Sequence, residues 1–203
     1  MHTDEPTAPL RVAVIIGSTR EGRVGDAVGR WFTDRARGRD DIELDVVDLA
    51  GFAFPARHPG RATPQMAAFT ARIERADAFV VVTPEYNRSF PASLKQAVDY
   101  AYDEWRAKPV GFVSYGGRCE GRHAVEHLRS VFTELHTVTV RDGVGLNVLD
   151  AGFGPGPGGG GAGPLPAPEG AEGPERAVAA MLDQLVWWGR ALRDARTVRP
   201  YVC

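Results

Sequence analysis

The sequence predicts an α/β fold of three layers: a five-stranded parallel sheet in the order 2-1-3-4-5, with helices on both faces. Three observations lead there. Short apolar runs alternate with longer segments of helical apolar spacing, a pattern that yields parallel strands joined by right-handed helical crossovers. Five such runs and five helical segments can be read along the chain. The two most unusual loops, residues 17–23 and 83–91, follow the first and third runs. In this strand order both loops border the switch point, where open sheets bind ligands beyond the carboxyl ends of their strands.

Each element has its own warrant. Residues 10–16 are a β-branched run bounded by Gly17 and read as a buried first strand. Val24, Ala27, Val28, Trp31 and Phe32 then fall at helical spacing and predict an amphipathic helix ending near Arg37. Residues 42–47 are the second strand, followed by a loop rich in Pro, Gly and Arg. Met66, Phe69 and Ile73 mark a short helix ending near Ala76, and residues 78–82 are the third strand. Leu94, Ala97, Val98, Ala101 and Trp105 predict a third helix over 92–105. Residues 109–114 are the fourth strand; Ala124, Leu128, Val131 and Leu135 mark the fourth helix, and 136–140 the fifth strand.

Residues 151–174 then hold ten glycines and six prolines and almost no large apolar residue. Such a segment buries too little surface to offset its ordering entropy and reads as a flexible insertion. Val178, Met181, Leu182, Leu185, Trp188 and Leu192 form the apolar face of a last helix. Glu169, Glu172 and Glu175 lie before or near its start, where negative charge suits the helix dipole. Of the neighbours Trp187 and Trp188, both cannot face one core, and one is expected at a subunit interface. The expected organisation is a disordered leader (1–9), a single domain (10–196) carrying the insertion, and a tail (197–203).

At 203 residues the chain can bury one large core. Its 43% apolar and 25% charged residues are ordinary for a soluble domain. A net charge of −2 asks for neither nucleic acid nor an anionic membrane. No run of about 20 apolar residues offers a membrane span, and the acidic, polar N-terminus lacks a signal-like apolar core. Cys119 and Cys203 are too few for a disulfide framework, so a reducing cytoplasm is the expected location.

The chemistry is expected in three loops. In residues 17–23, Gly17 and Gly22 allow close approach of backbone to a ligand, Ser18 and Thr19 offer hydroxyls, and Arg20 and Arg23 offer guanidinium forks. The helix that follows adds free N–H groups and a partial positive charge. Together they suit a phosphate. The loop lacks the Gly-Lys-Ser/Thr of a P-loop and the three-glycine dinucleotide fingerprint, which points to a mononucleotide; the plain alternative is a polar strand-to-helix loop. Residues 83–91 are stiffened by Pro84 and Pro91, so their N–H groups can bond the edge of a planar ring and Tyr86 can pack on it; the alternative is a turn with Asn87 or Ser89 as helix cap. In residues 114–121, Gly116 and Gly117 permit close approach and Tyr115 can stack on a ring, or be an exposed turn tyrosine.

Four ordered motifs carry a resemblance: Gly17-Ser18-Thr19-Arg20 with Gly22-Arg23; Pro84-Glu85-Tyr86-Asn87 with Pro91, Leu94, Lys95, Ala97 and Asp99; Glu104-Trp105 with Lys108-Pro109; and Ser114-Tyr115-Gly116-Gly117. From about Arg11 to Val144 the chain resembles the NADPH-dependent FMN reductase family, which has the flavodoxin-like fold and includes quinone, azo-dye and chromate reductases. The resemblance implies that Ser18, Arg20 and Arg23 hold the FMN phosphate, with Val24 and Gly25 lending backbone. It implies that Pro84, Glu85, Tyr86 and Asn87 run along the isoalloxazine and ribityl, and that Ser114, Tyr115, Gly116 and Gly117 border the pyrimidine side of the ring. Hydride would pass from NADPH or NADH to flavin N5 and electrons on to a small acceptor. No catalytic side chain is nominated, because the flavin carries the reaction. The resemblance further implies a homodimer or tetramer with FMN near the interface, and allows a partner monooxygenase.

Three departures stand out: the bulky, charged Arg118-Cys119-Glu120-Gly121 after the paired glycines, the segment Arg57-His58-Pro59-Gly60-Arg61, and the insertion itself. Arg88 and Arg118 are candidates for the substrate mouth, Arg88 for the 2′-phosphate of NADPH. His123 and His127, at i and i+4, have zinc-binding spacing but read as a solvated helical face, so no metal is expected. Lys95, Asp99 and Glu104 read as surface or interface pairs. Two rival functions stay open: a flavodoxin-type electron carrier, which the weak net charge disfavours, and an FMN-binding module without turnover.

Overall fold

A computed structural model describes residues 8–149 and 172–202. All but the last two residues of the expected leader, and all but the last three of the expected insertion, lie outside the described residues. In chain order the elements are β1 (Leu10–Ile16), α1 (Gly25–Ala36), β2 (Ile42–Asp48), α2 (Pro64–Arg75), β3 (Ala78–Pro84), α3 (Ala92–Tyr100), β4 (Pro109–Gly116), α4 (Arg122–Glu134), β5 (Val138–Thr139), β6 (Val144–Asn147) and α5 (Glu172–Val198). The sheet is parallel with the order β2-β1-β3-β4-β5, as the flavodoxin-like reading requires.

Pleating divides the core in two. Val12, Val14, Val80 and Val82 face α1 and α5. Ala13, Ile15, Phe79 and Val81 face α2, α3 and α4. Since side chains alternate across a strand, a near-continuous apolar run is what burial on both faces demands. In the second half-core, Trp105 lies 4.7 Å from Phe79 and 5.3 Å from Phe132 between ring centroids.

Several boundaries differ from the sequence reading, for local reasons. The third helix stops at Tyr100 rather than running to Trp105, because Ala101 turns extended. The Trp105 indole Nε1 donates to the carbonyls of Val98 at 3.1 Å and Ala101 at 2.8 Å, satisfying the helix end from outside. The fifth position of the sheet is filled by two segments. Arg129 donates to the carbonyls of Val140 at 2.8 Å and Arg141 at 2.9 Å, which bends the chain off β4 before β6 rejoins it. The last helix begins at Glu172, so Pro174 falls in its first turn, where a missing N–H costs nothing. Its buried stripe is Val178, Met181, Leu182, Leu185 and Val186. Trp188, expected in that stripe, is 37% exposed and Trp187 64%. The two rings pack edge-on at 4.9 Å, outside the core. Leu10 occupies the space beside Gly189 instead; a Cβ there would sit 2.7 Å from its Cδ1.

The amino end of the sheet is closed by polar contacts. Asp77 accepts the Arg11 N–H at 3.1 Å and pairs with Arg193 at 3.7 Å and Arg196 at 3.6 Å. Arg196 also donates to the Ala107 carbonyl. Lys108, 6% exposed, donates to the Ile73 and Glu74 carbonyls at 3.1 and 2.8 Å, capping α2 where a cation suits the dipole. Burial pulls this lysine down to about 8, against smaller opposing pulls from Glu74 and Asp77.

Candidate functional site

The carboxyl ends of β1 and β3 open onto one crevice. Gly17 N–H is taken by the Val82 carbonyl at 2.9 Å, and Ala27 N–H by Val24 at 3.0 Å. Between them, from 18 to 26, no amide makes a well-formed hydrogen bond among the described residues. The N-cap of α1, Val24, provides no side-chain bond either. Such a run of bare donors at a helix N-terminus is a ready anion site.

The side chains of this loop take three different courses. Ser18 is 1% exposed, and its Oγ lies 3.1 Å from the Tyr86 hydroxyl, joining the loops across the switch point. Arg20 is exposed and stacks on the Tyr86 ring, with Cζ 3.6 Å from the centroid. Arg23 turns away. It donates to the Ser18 carbonyl at 2.6 Å and forms a bidentate pair with Asp48 at the end of β2. Burial pushes the Asp48 carboxyl up, but the bonds from Arg23 and the Ala50 amide outweigh it, so it lies below the usual carboxylate range. The Asp48 bond raises Arg23 against its own burial. Arg23 thus braces the loop's shape. Thr19 Oγ1 donates to Ser93 Oγ at 3.1 Å, tying the loop to α3.

The loop after β3 is a two-residue hairpin. Tyr86 N–H donates to the Ser89 carbonyl at 2.7 Å, and Ser89 N–H returns to Tyr86 at 3.0 Å. Asn87 and Arg88, at its tip, are both left-handed, with φ of 50° and 66°. Asn suits that conformation; Arg in a place that favours Gly is strained. The Asn87 and Arg88 amides have no protein partner among the described residues. Neither Asn87 nor Ser89 caps α3, whose N-cap is Pro91. Ser89 Oγ instead meets His127 Nδ1 at 3.0 Å.

Glu85 reaches into α4. Its Oε2 accepts the His123 N–H at 3.0 Å, and its Oε1 lies 3.3 Å from His123 Nδ1 without hydrogen-bond geometry. The carboxylate caps a helix whose own N-cap, Gly121, offers no side chain. Gly121 is obligatory: with φ at 82°, a Cβ there would lie 2.7 Å from Ser114 Cβ and 2.9 Å from Tyr115 N. Ser114 Oγ donates to the Glu120 carbonyl at 2.7 Å and holds the last loop closed.

The expected residues lie in the loops after β1, β3 and β4, but their side chains take different courses. Ser18, Arg20 and Tyr86 meet one another across the two loops. Arg23, Glu85 and Ser114 direct their side chains into the protein. Tyr115 is buried on the α1 side, so its ring offers no open face for stacking. Arg88 and Arg118 are exposed and make no ion pair among the described residues. Lys95 and Asp99 form an i,i+4 surface pair at 2.7 Å. Sequence reasoning missed Asp48, Ser93 and the histidine braces. Asp48 was within reach, since β2 and β1 are neighbours and end at the same level.

Comparison with known proteins gives this geometry its context. Residues 10–148 match the model of the NADPH-dependent FMN reductase family. The chain is 33% identical over 120 residues to an NAD(P)H-dependent FMN reductase of Schizosaccharomyces pombe, covering 55% of this chain and 60% of that one. It is 33% identical over 141 residues to an NAD(P)H:quinone oxidoreductase of Solanum tuberosum, covering 64% and 71% respectively. It thus spans about six-tenths of the length of the first of these relatives. The flavoenzyme NAD(P)H:(acceptor) oxidoreductase FerB of Paracoccus denitrificans superposes with a TM-score of 0.68 at 23% identity, over 87% of this chain and 97% of that one, a likeness of fold. With its matched span covering every loop of the crevice, this chain belongs to the NADPH-dependent FMN reductase family.

Proposed function

We propose that the chain is an FMN-dependent NAD(P)H oxidoreductase that delivers reducing equivalents to a small acceptor, a flavin or a quinone. The observation that carries this reading is the run of bare amides from 18 to 26, bordering the same crevice as Ser18, Arg20 and Tyr86. A phosphate monoester suits such donors and the positive end of α1, and family membership supplies its identity as FMN. Bound FMN would supply the two-electron chemistry. The chain's residues bind and orient. Arg20 would leave Tyr86 for the phosphate, Val24 and Gly25 would present amides, and the free Asn87 and Arg88 amides would meet the ring edge beside Gly116 and Gly117. Arg23 with Asp48, Glu85 with His123, and Ser114 with Glu120 keep those loops in shape. Arg88 and Arg118 stand at the mouth, where guanidinium forks suit the phosphates of NADPH.

A cytoplasmic homodimer, or a tetramer, belongs to the same reading. The exposed Trp187–Trp188 pair supports contact with a second copy. A monooxygenase supplied with reduced flavin is a further compatible partner. Among the described residues no helix is long and apolar enough to cross a membrane. The test is spectroscopic. Protein reconstituted with FMN should lose its visible flavin absorbance on anaerobic addition of NADPH and regain it with a quinone or free flavin. FMN retained without NADPH oxidation would leave only a binding module; no FMN bound would remove the reading altogether.

A further inference from the structure

Among the buried side-chain atoms left without a hydrogen bond is the Tyr115 hydroxyl, against Gly25 at the start of α1. The side chain is 5% exposed. It rises from β4 on the α1 side of the sheet and ends against the start of that helix. A Cβ on Gly25 would lie 2.7 Å from the hydroxyl and 3.1 Å from Ser18 Cβ. Ser18 is close enough to act on the ionisation of Tyr115, although no bond of good geometry joins them. On its other side, Ser18 Oγ is 3.1 Å from the Tyr86 hydroxyl. The Tyr86 hydroxyl thus meets the buried Ser18, and the unpaired Tyr115 hydroxyl lies near it across Gly25, at the uncapped N-terminus of a helix of 12 residues.

We propose that Tyr115 and Tyr86 together commit the Ser18 proton outward, so that Tyr115 is a positioning residue through which the crevice selects a phosphorylated flavin over an unphosphorylated one. This rests on the FMN reading above. A serine hydroxyl has one proton and two lone pairs. In the proposed arrangement the Tyr115 hydroxyl, unbonded here, donates to one lone pair and Tyr86 to the other, and the proton points to the ligand. Chains of hydroxyls polarise one another, and a charged acceptor gains most from the last donor. Burial pushes the Tyr115 hydroxyl well above the ordinary tyrosine range, outweighing a smaller opposite pull from Ser18, so it remains a donor. Gly25 is the counterpart of this hydroxyl: a side chain there would occupy its place.

The experiment compares FMN and riboflavin affinities, by quenching of flavin fluorescence, in the wild type, Tyr115→Phe, Ser18→Ala and the double variant. The wild type should prefer FMN. Tyr115→Phe should lower the FMN-to-riboflavin ratio roughly 3–10-fold with riboflavin affinity unchanged. In the Ser18→Ala background, Tyr115→Phe should have no further effect on that ratio. Gly25→Ala should weaken FMN binding, and adding Tyr115→Phe should restore part of it. An unchanged ratio in Tyr115→Phe, or effects that add to those of Ser18→Ala, would overturn the role. So would equal loss of both flavins, which marks a merely structural tyrosine. A wild type indifferent to the phosphate would instead overturn the phosphate reading, and this inference with it.

Discussion

The two ends of the sheet are built on opposite terms. At the amino end, Asp77 gathers the Arg11 amide and two guanidiniums, Lys108 caps α2, and the Trp105 indole caps α3, with Arg106 Nε the exception, buried without a hydrogen bond. At the carboxyl end, the amides from 18 to 26 and two exposed arginines, 88 and 118, lack protein partners among the described residues. The side chains at that end that do bond hold loops in place rather than fill the crevice. Free donors along a helix N-terminus are the kind of group an anion would complete.

Four changes test that contrast. Trp105→Ala, at the closed end, removes a fully buried indole and two carbonyl caps, and should cost about 3–5 kcal/mol in urea unfolding. FMN affinity measured on the folded fraction should not move. Arg20→Ala, at the open end, should do the reverse. Loss of a charge-assisted contact of ~1.5–3 kcal/mol should weaken FMN roughly 10–150-fold by titration, with stability within about 0.5 kcal/mol of wild type.

The third change uses pH. The folded state resists charging Lys108, which sits at about 8 rather than 10.5 because of burial. The unfolded chain therefore holds its proton more tightly, and the penalty is complete below about pH 8. Wild-type stability relative to Lys108→Met should be flat at lower pH and rise on the order of 2 kcal/mol as the pH approaches that of free lysine. A difference independent of pH would show that the two helix carbonyls hold the ammonium charged without penalty. The smallest effect is expected at the hairpin tip. Arg88→Gly relieves a left-handed arginine and should raise stability by about 1 kcal/mol. If Arg88 serves the mouth, the same change should raise KM for NADPH more than for NADH.

Much of the fold was legible in the residues. The apolar runs ending at Ile16 and Val82 were long and β-branched enough to read as central strands, and the strand order then brought their loops together. The departures from the sequence reading share a cause: each depends on a partner that folding supplies. Arg23, expected at a phosphate, is held here in a bidentate pair with Asp48 from the next strand. Glu85 and Ser114, expected beside the flavin, hold α4 and its loop here. Helical spacing carried the third helix on to Trp105, because the indole that ends it also lies in phase with it. Trp188 fell outside the core because Leu10 fills the space beside Gly189.

By itself the sequence determined the alternation of elements, the parallel sheet and the two loops that meet at the switch point. These follow from local periodicity and from the right-handedness of crossovers, both short-range properties of the chain. Only the tertiary structure decided which polar side chains remain for a ligand. A guanidinium, a carboxylate or a hydroxyl bonds whichever partner folding brings within about 3 Å, and those partners stand on other strands and helices. Tyr115 shows it most plainly: read as a ring for stacking or an exposed turn tyrosine, it is buried in the half-core beside α1, with its hydroxyl against Gly25.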